Sequence, residues 1–404
     1  MIHSKNFLKL ILPSINSKNI FYFIGLVSFM IAYLSGETYW EILNDSKSLF
    51  IYTAIITLSF HLLNVLKHYT KVVEMFFLMS MFLLSLIVGI KIQNIFLVLN
   101  SYLLIFGAKK INFEDIVKVY FIVGIMFWTI TVLGSFGGLV KSVKDDVGMR
   151  DVIFNTTKER WCCGYRWSTN MANHLFYILL AYFYIMRGIL NRVEIIMYLF
   201  LILFVLYMSD VKLSAACIIL LLFASFYIKL KNRKKHGINK STLLSILIYI
   251  IPFSFLFVYL ATVFYDSGND NWMMANIFLG GRLSISQDML NKEGISIFGQ
   301  YFKMYSSVRS DGSYYNYIDS SFLQLIIIYG LFYSFVIALG YIFICKRAVL
   351  NGDIVLLLSV SVGAVSGIVC QHFIQLYMNP FFLALFALHS MKKKEGILGD
   401  NLKS

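Results

Sequence analysis

The stretch Leu279 to Glu293, LGGRLSISQDMLNKE, holds the densest set of chemically suited residues in the chain. Gly280 and Gly281 permit a sharp turn and close backbone approach. Ser284 and Gln287 have the spacing of a capping box, and Ile285 and Met289 mark one apolar face, so the pattern predicts a helix starting at about Ser284. Its unpaired N–H groups and positive dipole end would lie beside Arg282, whose guanidinium can grip phosphate oxygens as a fork. This would make a cradle for a diphosphate; the plainer alternative is a surface helix with a glycine turn and a solvated arginine.

A diphosphate site needs a second cation. The segment KERWCCGYRWSTN places Arg160 and Arg166 beside aromatic residues, just before an apolar run that opens with Asn170. These arginines suit a second phosphate or a sugar, and equally a lipid headgroup. Around them Lys141, Lys144, Arg150 and Lys158 alternate with Asp145, Asp146, Asp151 and Glu159, so the loop is nearly neutral and not a simple electrostatic patch. Two residues are candidate bases for deprotonating a hydroxyl. Asp319 stands where a polar segment meets an apolar run, though it could instead cap the helix that SSFLQL begins. His372 lies in a turn between two apolar runs, where a structural role is the alternative, and His174 is a weaker candidate. Trp161, Trp167 and Trp272 could stack on sugar rings or form an interfacial aromatic belt. The acidic stretch Asp266 to Asp270 resembles a carboxylate pair, but with no nucleotide diphosphate to chelate, no metal is expected.

The elements that must position these residues are membrane spans. Of 404 residues, 59% are hydrophobic and only 14% charged, which excludes a soluble enzyme and leaves one integral membrane domain over residues 1–404. Apolar runs able to cross about 30 Å of hydrocarbon fall near 20–35, 49–66, 72–90, 92–108, 116–140 and 169–187. Six more fall near 193–209, 212–229, 243–264, 319–345, 354–370 and 373–390. The expected fold is therefore all-α and polytopic, with about twelve transmembrane helices. With both termini cytoplasmic, the net charge of +14 gathers on the inner segments and the outer loops come out about neutral. Nucleic acid is then not needed to explain the basicity. The two long loops, 141–168 and 265–318, fall outside, and loops on a rigid scaffold commonly carry function.

No G-x-x-x-x-G-K-[ST] or G-x-G-x-x-G pattern is present to hold a nucleotide on the inner side. Energy for chemistry would then arrive in the substrate, which suggests a donor such as a sugar on a polyprenyl diphosphate. The five cysteines have neither zinc-site nor ordinary disulfide spacing, and no organic cofactor is expected.

Three segments together resemble the Wzy-type polysaccharide polymerases, related to the O-antigen ligases. They are R-W-C-C-G-Y-R-W-S-T-N (Arg160 to Asn170), G-G-R-L-S-I-S-Q-D-M-L with I-F-G (Gly280 to Gly299), and Y-I-D-S-S-F-L-Q-L-I-I-I-Y-G-L (Tyr317 to Leu331). Thr169 stands where the family usually has proline. The resemblance covers roughly the latter two thirds of the chain. It implies a C-type glycosyltransferase-like architecture and a site on the outer face of the bacterial cytoplasmic (inner) membrane. The implied reaction joins oligosaccharide repeat units carried on undecaprenyl diphosphate and releases the lipid diphosphate, without nucleotide or metal. Arg282, Arg160 and Arg166 would bind diphosphate, Asp319 and His372 would be catalytic, and Trp161, Trp167, Trp272 and Asn170 would meet sugar. Implied partners are the lipid-linked oligosaccharide, membrane lipids, and flippase and chain-length regulator proteins. A ligase would use the same donor, and a flippase or other transporter is the alternative of a different class. Transporters tend to carry ionisable residues near the membrane midplane, and these spans carry few.

Overall fold

A computed structural model describes residues 10–145, 159–233, 242–304 and 317–389. Parts of both long loops, including Asp146, Arg150, Asp151 and Lys158, lie outside the described residues, as does most of the basic run before Lys240. The protein is an all-α membrane protein. Among the described residues, six helices are long and apolar enough to span a membrane. They are α1 (Ile20–Gly36, with a short lead-in from Ser17), α2 (Lys47–Leu66), α3 (Val72–Lys91), α5 (Phe113–Phe136), α8 (Lys212–Arg233) and α13 (Leu331–Leu350). Three shorter apolar helices join them, α4 (Ile95–Gly107), α9 (Ile250–Val263) and α14 (Ile354–Val369). The remaining long helices are α6 (Ser168–Ile185) and α7 (Arg192–Met208).

Helix α6 is the axis of the bundle, and every residue in it except Thr169 is buried. It ends because Arg187 and Gly188 turn to positive φ, with the Gly188 N–H closing onto the Phe183 carbonyl at 2.8 Å. Outer helices instead expose large apolar residues, such as Ile56, Phe60 and Leu63 on α2 and Leu199, Phe200 and Leu203 on α7. Lipid is the natural solvent for these faces. Since lipid tails are as apolar as the core, helix association rests on close packing and interhelical hydrogen bonds of about 0.6 kcal/mol each. Both are present. A Cβ on Gly25 would fall 2.5 Å from Leu58 Cγ, and buried tyrosines donate across helices, Tyr198 to the Leu179 carbonyl at 2.7 Å and Tyr102 to that of Leu78 at 3.1 Å.

Connections expected to share a side meet one another. At one end, Lys109 pairs with Glu74 at 2.8 Å and Lys118 with Glu114 at 2.9 Å, Arg187 also reaches Glu114, and Leu388 hydrogen-bonds Ile111 and Phe113. At the other, Tyr39 N–H donates to the Gly164 carbonyl at 3.0 Å and Arg166 N–H to that of Glu37 at 2.9 Å.

Three expected spans are corrected. The run near 243–264 is two helices, Thr242–Leu247 and α9, because Pro252 cannot donate to the Ile248 carbonyl and its ring crowds it. The run near 319–345 starts as α12 (Ser321–Gln324), continues as a π turn over Leu325–Tyr329, and breaks at Gly330 before α13. Gly330 has φ +89, and a Cβ there would lie 2.3 Å from the Gly299 nitrogen. The break thus receives the I-F-G segment, with Gln300 N–H bonded to the Ile328 carbonyl and Leu331 N–H to that of Ser296, both at 2.9 Å. The last run, near 373–390, is not an α-helix but 3₁₀ turns at Gln371–Phe373 and Pro380–Leu385. Asn379 stabilises this path by donating to the Phe373 carbonyl at 2.6 Å and accepting from Phe381 N–H. Irregular backbone is tolerated at such depth only when buried in protein, as this segment is.

Candidate functional site

Helix α11 (Arg282–Glu293) begins two residues before the expected Ser284, after Gly280 and Gly281 at φ +69 and +82. Ser284 and Gln287 form no capping box. Ser284 Oγ donates to the Gly281 carbonyl at 2.9 Å, and Gln287 Nε2 reaches the Tyr265 carbonyl at 2.7 Å. The cap comes instead from Asn276 on the preceding helix α10 (Asp270–Phe278), whose Oδ1 accepts from Leu283 N–H at 2.9 Å and Ser284 N–H at 3.2 Å. Two N–H groups expected to face an anion are therefore occupied. Arg282 remains part-exposed, with Nη1 donating to the Leu279 carbonyl at 3.1 Å and Nε 3.1 Å from Asp319 Oδ2.

That ion pair joins two of the three motif segments. Ser320, not Asp319, occupies the N-cap position of α12, so Asp319 is not the helix cap. The following residues clasp the Cys370 turn. Ser321 Oγ donates to the Cys370 carbonyl at 2.6 Å, and Gln324 Nε2 to Gln371 Oε1 at 2.9 Å. Cys370 thereby comes within electrostatic reach of Arg282 and Asp319, and its Sγ accepts from Asn173 Nδ2 of α6 at 3.3 Å. His372, two residues on, is 2% exposed, and neither ring nitrogen has a hydrogen-bond partner among the described residues. Its neighbour His174 sits with Nδ1 2.7 Å from the Tyr165 hydroxyl.

The other arginine loop folds toward the end of α1. Arg166 Nε donates to the Thr38 carbonyl at 3.4 Å, while its side chain stays exposed. Asn170 is buried and donates to Glu37 Oε2. Arg160 and Trp161 form a two-residue antiparallel ladder with Lys144 and Asp145, and Lys144 Nζ sits 4.6 Å from the Trp161 ring centroid. Trp167 is half-buried at the start of α6, and Trp272 stands edge-on to Tyr265 at 6.4 Å on α10. The three tryptophans belong to separate surroundings.

Glu37 is the residue that sequence reasoning missed. Besides Asn170, it accepts from the Tyr377 hydroxyl at 2.8 Å, and Lys47 and Arg166 lie within its electrostatic reach. Burial pushes its carboxyl up from the ordinary carboxylate range, against the opposing pull of the Tyr377 hydrogen bond and of Lys47 and Arg166. Tyr377 stacks on Tyr33 at 5.5 Å, and Lys47 Nζ lies 5.5 Å from the same Tyr33 ring. Tyr317, two residues before Asp319, is within reach of Tyr377. The Glu37 cluster and the Arg282–Asp319 pair thus flank the segment Cys370 to Tyr377. The only signal in the sequence was a lone acid directly after an apolar run, GET, which reads as an interface residue. No family model, no curated protein and no solved structure matches the chain.

Proposed function

We propose that the protein is a membrane glycosyltransferase that polymerises oligosaccharide repeat units carried on undecaprenyl diphosphate, at the outer face of a bacterial cytoplasmic membrane. The observation that carries this reading is the contact of Arg282 with Asp319, which unites two motif segments that resemble the polymerase family. The backbone pairing of I-F-G with the Gly330 break adds to it. In this reading twelve chain segments cross the membrane, with both termini inside and the arginine loops outside. Arg282 and Arg166 grip the donor's diphosphate and stabilise the charge that develops on it as it leaves. Asp319 holds the Arg282 fork in place, as a carboxylate does for a positioned guanidinium.

Binding of undecaprenyl diphosphate to the purified protein tests the clamp. Arg282→Lys keeps the charge and loses the planar fork, so affinity should fall about tenfold or more. Wild-type affinity in that variant would remove Arg282 from the site.

A further inference from the structure

Resting on the polymerase reading, we propose that Glu37 is the general base that takes the proton from the acceptor sugar's hydroxyl. The hydroxyl oxygen attacks the anomeric carbon of the donor, forming the new C–O bond as the bond from that carbon to the diphosphate breaks. The electron pair leaves on the diphosphate, and the hydroxyl proton passes to the Glu37 carboxylate and from there to solvent.

Three features single Glu37 out. Asp319 is engaged by Arg282, which gives it the role of positioning that guanidinium. His372 is enclosed, whereas Glu37 keeps some exposure at the end of the bundle. Its two donors, Asn170 and Tyr377, are neutral and buried, so they orient the carboxylate without neutralising it and leave lone pairs for a proton. The charged and titratable groups around it are Lys47 from α2, Arg166 from the loop before α6, Tyr165 from that same loop and Tyr377 from the C-terminal segment.

The test uses the full chain in liposomes with lipid-linked repeat units, comparing wild type, Glu37→Gln and Glu37→Asp across pH. The expected result is a loss of polymerisation rate of at least about a hundredfold in Glu37→Gln, with undecaprenyl diphosphate binding unchanged. The fall in rate on the acid side of the profile should disappear in Glu37→Gln and persist in Glu37→Asp. A wild-type ladder with an equally active Glu37→Gln would overturn the base role alone. So would a Glu37→Gln defect that tracks loss of diphosphate binding or of folded protein while Glu37→Asp is equally impaired. No ladder from the wild type would overturn the polymerase reading and the base role with it.

Discussion

Glu114 and Glu37, near opposite ends of the bundle, are held in different ways. Near the end where Leu388 meets Ile111, Glu74 has Lys109 in contact and Glu114 has both Lys118 and Arg187. At the opposite end, Glu37 is held by an asparagine and a tyrosine while Lys47 and Arg166 stand off it. The pairs at Glu114 staple helix ends together. A carboxylate oriented by neutral donors, with cations nearby, keeps both its basicity and a positive field. In the proposed function Glu114 ties helix ends together and Glu37 takes part in the chemistry.

The sharpest way to break this contrast is Arg282→Ala, expected to lower polymerisation by about a thousandfold with the thermal midpoint nearly unchanged. Loss of folding instead would move Arg282 to the structural side. Next, Gly330→Ala should destabilise the fold by about 3 kcal/mol, since a Cβ there meets the Gly299 backbone and the residue holds φ +89. Thermal unfolding in detergent reads this directly. Asn276→Ala removes the cap on α11 and should cost about 1 kcal/mol while loosening the Arg282 loop, seen as weaker diphosphate binding. Glu114→Gln removes an exposed pair with Arg187 and one with the buried Lys118, with a cost of about 1 kcal/mol and no change in polymerisation rate.

The pH dependence of stability gives the finest distinction. Because the folded state raises the Glu37 carboxyl above its ordinary value, the native protein holds that proton where the unfolded chain has lost it. Its contribution is complete below the ordinary carboxylate value of 4.5 and is lost as pH rises through the folded value. Relative to Glu37→Gln, the wild type should therefore lose stability as pH climbs out of the acid range. Equal pH slopes for the two proteins would deny the raised value.

The helical architecture was legible because lipid requires long uninterrupted apolar runs, and α1, α2, α3, α5 and α8 lie close to where those runs fall. What hydropathy cannot convey is how a buried segment satisfies its backbone. The Asn379–Pro380 turns look as apolar as a helix, and Gly330 breaks its run because a distant glycine packs on it. Arg282 and Asp319 were legible as candidates from their places in the glycine turn and at the start of an apolar run, and they meet in an ion pair. The site's connectivity was not legible. Asn276 caps α11 from the preceding helix, and Glu37 acquires its partners from residues more than a hundred positions away. Such contacts leave no periodic trace along the chain.

Reconstitution of the wild-type protein in liposomes with lipid-linked repeat units, without nucleotide or added metal, tests the central claim most directly. A ladder of products lengthening by one repeat, with release of undecaprenyl diphosphate, is the outcome expected of a polymerase. Transfer of the lipid-linked units to the opposite leaflet with no ladder would contradict it and make the charged end of the bundle a transport mouth.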